Sequence, residues 1–314
     1  MNKTKKYTIL GLKGIGMGAA NVIPGVSGGT IALLTGIYQE LIDSIKAIDG
    51  EAIKLLFTGK FHTFWKKING DFLIMIFLGV IISLFTLAKL MTFLMSNYPI
   101  PLWAFFFGLI IISAIHILKG MGKWKFSYYT SLIIGISIGL AICLLSPGET
   151  TNDLWFIFLC GAIAICTMIL PGISGSFILL LMGKYEYILD SFVNLDGMIL
   201  VVFCLGAIIG LVLFAHLLSW LLKRYYNQTI CFLSGIMLGS LLKVWPWQKI
   251  LPSGIEGIPG PSRPITPSTF SSLTTTVTDP MIWQAIVFCI LGIALVAVLE
   301  YLAKDKKTEK SITE

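Results

Sequence analysis

The chain has 314 residues, of which 56% are hydrophobic and only 12% are charged, and its mean hydropathy is +0.88. Soluble domains carry about 25% charged residues, so this composition excludes an ordinary water-soluble fold and indicates an integral membrane protein. The net charge is +7, but the charges lie between apolar runs, and we therefore expect no nucleic-acid partner.

The apolar runs predict an all-α polytopic membrane protein. A bilayer core about 30 Å thick needs roughly 20 apolar residues per spanning helix. Suitable runs cover residues 72–95, 101–118, 127–145, 197–222, 229–244 and 281–303. Two further apolar regions, 8–46 and 154–192, are each broken near the centre by a Pro-Gly pair. Each broken region is compatible with a hairpin that returns to its own side and with one that crosses twice.

The basic residues predict the orientation of the chain. With the N-terminus inside, 18 of the 23 Lys and Arg residues fall on cytoplasmic segments, as the positive-inside rule requires. The segment 250–280, rich in Pro, Ser and Thr, then lies outside. We therefore expect a multi-pass protein of the cell membrane with both termini in the cytoplasm.

An internal repeat relates the two halves of the sequence. The run Pro24-Gly25-Val26-Ser27-Gly28-Gly29 matches Pro171-Gly172-Ile173-Ser174-Gly175-Ser176, and the same offset pairs Tyr38 with Tyr185 and Asp43 with Asp190. Residues 1–145 and 146–314 are therefore predicted to be two repeats, each a broken hairpin followed by three transmembrane helices. The second repeat carries the outer segment 250–280.

The two repeats are predicted to have inverted orientations, because each unit crosses the membrane an odd number of times. If the first half contains an inserted basic stretch at 49–69, Gly79 pairs with Gly206 and Gly108 with Gly235. Inverted repeats with interrupted helices are typical of secondary transporters that bind substrate where the repeats meet. Several GxxxG patterns, at 135–139, 206–210 and 235–239, predict close helix packing.

The Pro-Gly breaks predict a binding site for an anion. A break within lipid is tolerated where it is buried in protein or lines a wet cavity. A helix begins again after each break at Ser27 or Ser174, and its first amides carry partial positive charge that suits phosphate or carboxylate. The alternative is that these small residues only allow close packing, but two symmetric motifs favour a ligand site. The predicted substrate-binding residues are Asn21, Gly25, Ser27, Gly28, Gly29, Thr30, Gly172, Ser174, Gly175, Ser176 and Lys89.

Lys89 lies in an otherwise uncharged apolar run. A lysine at the centre of a spanning helix costs about 2.5–3.5 kcal/mol, so it either neutralises an anionic substrate or extends to the outer interface. Lys13 and Lys184 are candidates for guiding an anion at the two mouths of a pathway, or are interfacial anchors. Protons are a candidate coupling ion through His116 and His216, although ordinary interfacial histidines fit as well.

An enzymatic alternative rests on the pattern G-x-S-G, present at 25–28 and 172–175 and shared with intramembrane serine proteases. A nucleophilic serine needs a base within hydrogen-bonding reach. Because a duplicated motif does not suit a single nucleophile, we expect no catalytic residue. The six cysteines form no CxxC pair and indicate neither a metal site nor a disulfide framework, and we expect no cofactor.

The paired motifs resemble a family once catalogued as a domain of unknown function, whose members are regarded as polyprenyl-phosphate (undecaprenyl-phosphate) translocases. The residues that carry the resemblance run from Gly18 to Thr30 and from Ile169 to Ser176, and it extends to Lys304. It implies return of undecaprenyl phosphate, the lipid carrier of cell-wall biogenesis, from the outer to the inner leaflet. We expect alternating access around a phosphate held by the two symmetric helix N-termini. A transporter of a small soluble anion and a membrane hydrolase are the alternatives.

Overall fold

A computed structural model describes residues 3–22, 27–145, 150–251, 262–273 and 280–312, which are almost entirely helical. The first eight helices are α1 (Lys3–Val22), α2 (Gly28–Leu34), α3 (Tyr38–Lys46), α4 (Gly50–Phe57), α5 (Phe61–Lys67), α6 (Gly70–Asn97), α7 (Pro99–Lys119) and α8 (Phe126–Leu144). They are followed by α9 (Leu154–Ile169), α10 (Gly175–Leu181), α11 (Tyr185–Val193), α12 (Gly197–Arg224), α13 (Tyr226–Val244), α14 (Pro267–Leu273) and α15 (Ile282–Ile312).

The helices confirm the predicted class of multi-pass α-helical membrane protein. By length and hydropathy, α7, α8, α12 and α13 can each cross a membrane. Shorter apolar stretches lie in α6, α9 and α15, over Gly70–Ser83, Leu154–Ile169 and Ile282–Val298. All seven lie within or overlap the apolar regions identified in the sequence.

The first broken region returns to the end of the molecule where it starts. α1 runs alongside α6: the Tyr7 hydroxyl donates to Asp71 over 3.0 Å. A Cβ on Gly18 would lie 2.8 Å from the Cβ of Ser83, which is at the middle of the 28-residue α6. The chain then turns back through α2 and α3, and the side chain of Asn69, just before α6, donates to Glu40 over 2.9 Å. Of the two hairpins compatible with the sequence, the structure contains the returning one.

The second broken region has the same path. α9 packs along α12, and the Cys166 thiol contacts the carbonyl oxygen of Gly210, at the middle of the 28-residue α12, over 3.5 Å. After α10 and α11 the chain is again at the beginning of α12, where the amide of Asp196 donates to the carbonyl of Ser191 over 2.9 Å. α10 and α11 have seven and nine residues, and at 1.5 Å per residue neither is long enough to cross a bilayer.

Glycines allow the broken regions to pack tightly on the long helices. A Cβ on Gly79 of α6 would lie 2.3 Å from the carbonyl oxygen of Gly11 on α1. A Cβ on Gly206 of α12 would lie 2.0 Å from the carbonyl oxygen of Phe158 on α9. Contacts this short exclude any side chain, so backbone touches backbone, as is common between membrane helices.

The remaining spanning helices also cross at glycines, which confirms the predicted packing role of the GxxxG patterns. α7 packs on α15 and α8 packs on α13. A Cβ on Gly108 would lie 2.2 Å from the carbonyl oxygen of Cys289, and a Cβ on Gly235 would lie 2.4 Å from that of Leu132. The last helix of each predicted half therefore packs against the opposite half.

The segment 250–280 contains structure that the sequence analysis did not predict. β1 (Gln248–Ile250) and β2 (Ser262–Pro264) form an antiparallel ladder in which Lys249 pairs with Arg263. The Trp245 indole donates to the carbonyl of Ile265 over 2.9 Å, which fixes the ladder to the end of α13. Residues 252–261 and 274–279 lie outside the described residues.

We predict that Gly206→Val lowers the stability of the folded protein by about 1–3 kcal/mol, because the added methyl groups force α9 and α12 apart. The measurement is the midpoint of thermal unfolding in detergent. Gly197→Ala is the control, since a Cβ at Gly197 has no atom within 4 Å. Equal unfolding midpoints for Gly206→Val and the wild type would contradict this packing.

Candidate substrate-binding site

The two breaks meet each other near the middles of α6 and α12. The Ser27 hydroxyl, at the start of α2, donates to the carbonyl of Met168 at the end of α9 over 3.0 Å. In the opposite direction, the amide of Gly172 donates to the Thr30 hydroxyl on α2 over 3.0 Å. Ser27 and Thr30 are both buried, with exposures of 1% and 0%. Each break therefore supplies a partner for a backbone group freed by the other.

Glycines make this close approach possible. A Cβ on Gly29 would lie 2.2 Å from the carbonyl oxygen of Ile169, an oxygen that also accepts a hydrogen bond of 3.3 Å from Tyr38. Gly172 has φ of +87°, a conformation that side chains other than glycine rarely adopt. Gly172 belongs to the second Pro-Gly pair and Ile169 lies two residues before it, so the sequence of the break sets the geometry of the junction.

A cavity of about 270 Å³ lies beside the junction. Its polar residues come from both breaks, namely Asn21, Ser27, Ser174 and Ser176. Its remaining lining belongs to α9, α10 and α12 and is apolar, namely Gly161, Ala164, Ile165, Met168, Gly175, Leu179, Phe203 and Ala207. The cavity therefore combines a cluster of hydroxyl and amide groups with apolar walls.

The start of α2 is closed by its own surroundings. The amide of Gly28 donates to the Asn21 side chain over 2.7 Å, and the amide of Gly29 donates to the Ser27 hydroxyl over 3.1 Å. The amide of Thr30 donates to the carbonyl of Ser27 over 3.0 Å. Ser27 caps α2 as the sequence predicts, and together with Asn21 it occupies the first amides of the helix, so α2 does not offer these amides to an anion in this structure.

The start of α10 differs from that of α2. The Ser174 side chain makes no capping hydrogen bond to the α10 backbone. Its hydroxyl instead pairs with that of Ser176 over 2.8 Å. Ser174 is 7% exposed, whereas Ser176 is exposed. Two hydroxyl groups and the first turn of α10 therefore border the cavity without the side-chain cap that closes α2.

The structure brings together part of the predicted binding set. Asn21, Ser27, Ser174, Gly175 and Ser176 line the cavity. The other glycines of the set and Thr30 form the junction behind it, namely Gly28, Gly29 and Gly172. Gly25 lies outside the described residues. Lys89 falls within α6, but its side chain lies outside the described part of the structure.

The lysines proposed as guides for an anion bind backbone or amide oxygens. Lys13 donates to the carbonyl of Thr35, the residue that caps the end of α2, over 2.7 Å. Lys184 is 4% exposed and donates to the carbonyl of Thr150 and to the side chain of Asn152 over 2.8 and 2.6 Å. These contacts fit the alternative given in the sequence analysis, in which both lysines are anchors.

The cavity was not fully predictable from the sequence. Ile165, Met168, Phe203 and Ala207 were not singled out, because apolar residues on spanning helices look alike whether they face lipid, a neighbouring helix or a cavity. The only available signal was position, since Met168 lies three residues before Pro171. Within the described ranges, no three His, Cys, Asp or Glu side chains cluster as metal ligands.

A multi-pass helical protein whose interrupted helices meet around a central cavity has the architecture of a membrane transporter. A family profile described as undecaprenyl phosphate translocase-like matches residues 17–256, and the chain belongs to this family. The family is one of transporters, so the G-x-S-G segments are not parts of an enzyme. Consistently, the described hydrogen bonds of Ser27 and Ser174 go to backbone groups and to Ser176, and none goes to a histidine.

Two curated relatives are similar over most of the chain. A protein of Vibrio cholerae serotype O1, named polyprenyl-phosphate transporter, is 44% identical over 307 residues, which cover 96% of this chain and 99% of the relative. A protein of Staphylococcus aureus with the same name is 34% identical over 254 residues, which cover 75% of this chain and 85% of the relative. No solved structure matches the chain.

We predict that Thr30→Val destabilises the protein, because it leaves the buried amide of Gly172 without its acceptor. An unpaired buried donor costs about 1–3 kcal/mol, and the midpoint of thermal unfolding in detergent should fall accordingly. Thr30→Ser keeps the hydroxyl and is the matched control. If the valine variant unfolds at the same temperature as the wild type and the serine variant, the bond across the junction has no structural role.

Proposed function

We propose that this protein moves undecaprenyl phosphate between the leaflets of the cell membrane, returning it from the outer to the inner leaflet. The observation that carries the proposal is the cavity at the junction, where four polar side chains face apolar walls within a membrane-spanning bundle. The names of the two relatives support the same substrate class. A lipid phosphate needs such an amphipathic site, because its head group is polar and its tail remains in lipid.

The phosphate is bound at the start of α10. The hydroxyl groups of Ser174 and Ser176 can donate to phosphate oxygens, and the first turn of the helix adds the positive end of its dipole. Lys243 places its ammonium 4.5 Å from the ring centroid of Phe177, on the flank of the same helix. None of the residues described as lining the cavity is charged, so recognition depends on hydrogen bonds and dipoles more than on ion pairing.

The tail leaves the site toward lipid past Met168, on the exposed side of α9. Met168, on the cavity wall, is 41% exposed, and Ile208, next to the wall residue Ala207, is 60% exposed. Exposed apolar side chains on spanning helices face lipid. A small soluble anion would instead require a polar route through most of the membrane, and the apolar cavity walls therefore favour the lipid over the soluble anion.

We propose that residues 1–145 and 146–314 are inverted repeats and that both termini are cytoplasmic. α6 and α12 have equal lengths of 28 residues, and each packs along a broken region that returns at the helix midpoint. The end of α12 lies beside α3, because Lys223 pairs with Asp43 over 3.1 Å. The beginning of α6 lies beside the same helix, because Asn69 donates to Glu40 over 2.9 Å. Antiparallel directions of α6 and α12 support inversion, and the positive-inside rule supports the orientation.

Transport proceeds by alternating access, in which the two helix starts bind the phosphate in different states. The start of α10 has no side-chain cap in this structure. At the start of α2, in contrast, Asn21 and Ser27 accept hydrogen bonds from the first amides. In the opposite state these two side chains release α2, and α2 becomes the binding end. Protons are the proposed coupling ion, and the titratable group that carries them lies outside the cavity lining described above.

The experiment that tests the function measures transbilayer movement of labelled undecaprenyl phosphate in proteoliposomes, with and without a proton gradient. We expect protein-dependent movement of this lipid, faster with the gradient, while an ordinary labelled phospholipid does not move. Inorganic phosphate should not compete at millimolar concentration. Folded protein that moves no undecaprenyl phosphate under any gradient would overturn the proposal.

We predict that Ala207→Trp reduces this movement at least tenfold, because the indole fills the cavity wall at the start of the tail pathway. Leu213→Trp is the matched control, since Leu213 also lies on α12, is 66% exposed and does not belong to the described cavity lining. Both variants should insert in the membrane at wild-type levels. Normal transport by Ala207→Trp would exclude this cavity as the substrate site.

We predict that an ion pair between the repeats controls the rate. Asp43 on α3 accepts hydrogen bonds from Ser219 over 2.6 Å and from Lys223 over 3.1 Å, both on α12. Asp43→Lys should reduce transport several-fold because like charges repel there, and adding Lys223→Asp should restore at least half of it. Asp190→Lys, at the equivalent position of the second repeat, is the control. If the exchanged pair is no better than the single variant, this contact does not gate transport.

A further inference from the structure

The stretch 49–69 forms a helical hairpin without a counterpart in the second half. It consists of α4 and α5, which have eight and seven residues and are too short to cross a bilayer. The pair lies between α3 and the first turn of α6. It is thus positioned at one end of the spanning bundle, at the level where the long helices leave the membrane.

This hairpin exposes a large amount of apolar side chain. The exposed residues are Ile53, Leu56, Phe57, Phe61 and Trp65, with exposures of 49%, 39%, 83%, 62% and 41%. They do not lie on a spanning helix, so the acyl core around the bundle does not account for their exposure. Such a concentration of apolar surface on a short segment marks an interaction site.

The charges of the hairpin leave a positive surface. Lys67 binds both acidic side chains, Asp49 over 2.8 Å and Glu51 in a short contact. The hydrogen bond from Lys67 lowers the pKa of Asp49, which keeps that carboxylate ionised. The other lysines of the hairpin, Lys54, Lys60 and Lys66, are exposed.

The hairpin is held firmly in place. The Trp65 indole donates to the Asp71 carboxylate at the start of α6 over 2.8 Å. Gly70 packs directly on the Trp65 ring, where a Cβ would lie 2.3 Å from the nearest ring atom. Asp49 caps α4 by accepting from the amide of Ala52 over 2.8 Å. The exposed side chains are therefore presented by a fixed scaffold.

An apolar groove of about 360 Å³ runs from this hairpin along α3 and α6. Its lining includes Leu41, Ile45, Trp65, Leu73 and Phe77. The groove begins at Trp65, which precedes the exposed Lys66 in the chain, and such an arrangement matches a molecule with an anionic head and an apolar chain.

We propose that the hairpin 49–69 docks on the anionic lipid surface of its own leaflet, with phospholipid head groups at Lys54, Lys60 and Lys66 and apolar side chains inserted between them. Lysines beside exposed aromatic residues are the pattern of interfacial membrane anchors. The orientation proposed above makes this the cytoplasmic leaflet, while the docking itself does not depend on the orientation. Its consequence is that one repeat is fixed to the membrane surface.

The test uses the whole protein in nanodiscs of phosphatidylcholine or of phosphatidylcholine with phosphatidylglycerol, followed by hydrogen–deuterium exchange of peptides covering 50–67. We expect exchange to slow roughly fivefold in the anionic discs. The triple variant Lys54→Gln, Lys60→Gln, Lys66→Gln should lose this difference. The matched control Lys119→Gln, Lys123→Gln, Lys125→Gln removes the same charge from another exposed segment and should keep it.

Equal exchange in both lipids, or an undiminished difference in the hairpin variant, would overturn the proposal. A third set of discs contains phosphatidylcholine and a small fraction of undecaprenyl phosphate. Slowing confined to these discs would assign the surface to the carrier lipid and overturn docking on the bulk phospholipid. Because the measurement involves no transport, its failure is distinct from a failure of the proposed function.

Discussion

Every helix break inside a membrane leaves polar backbone groups where water is absent, and this constraint organises the centre of the protein. The two Pro-Gly breaks solve it jointly. Ser27 binds the carbonyl of Met168, and Thr30 accepts from the amide of Gly172. Because the backbone groups freed at each break find hydrogen-bond partners on the other break, the two broken regions meet. The long helices α6 and α12 pack along these two regions. The cavity follows from the same contact, since it lies where the two breaks leave side-chain hydroxyls facing apolar walls.

The two breaks have nearly the same sequence but differ in their hydrogen bonds. Ser27 and Asn21 close α2, whereas the corresponding Ser174 pairs with Ser176 and leaves α10 without a side-chain cap. Position 29 is glycine where position 176 is serine, so only the second motif has a neighbouring hydroxyl to compete for the capping serine. Position 21 is asparagine where the equivalent position 168 is methionine, so the second motif also lacks the side chain that accepts from the amide of Gly28. These two differences account for the asymmetry between the starts of α2 and α10.

The sequence predicted the class of protein, the spanning segments and the meeting of the two motifs, because apolar length and the Pro-Gly pairs are strong local signals. It left open whether the broken regions return or cross. That outcome depends on where Gly18 and Cys166 contact α6 and α12, and such contacts cannot be read from a local pattern. The ladder of β1 and β2 was missed because three-residue strands carry almost no periodic signal. The occupied amides of α2 depend on the rotamer of Asn21, which no sequence pattern determines.

The exchange of final helices between the two halves has a consequence for biogenesis. α8 packs against α13 and α15 packs against α7, so neither half contains the partner of its own last helix. During synthesis α7 enters the membrane with the backbone groove at Gly108 uncovered, and that groove is filled only when α15 follows. Assembly of the bundle is therefore completed after insertion of the final helix, and the first half on its own would present an open glycine surface to lipids and to other membrane proteins.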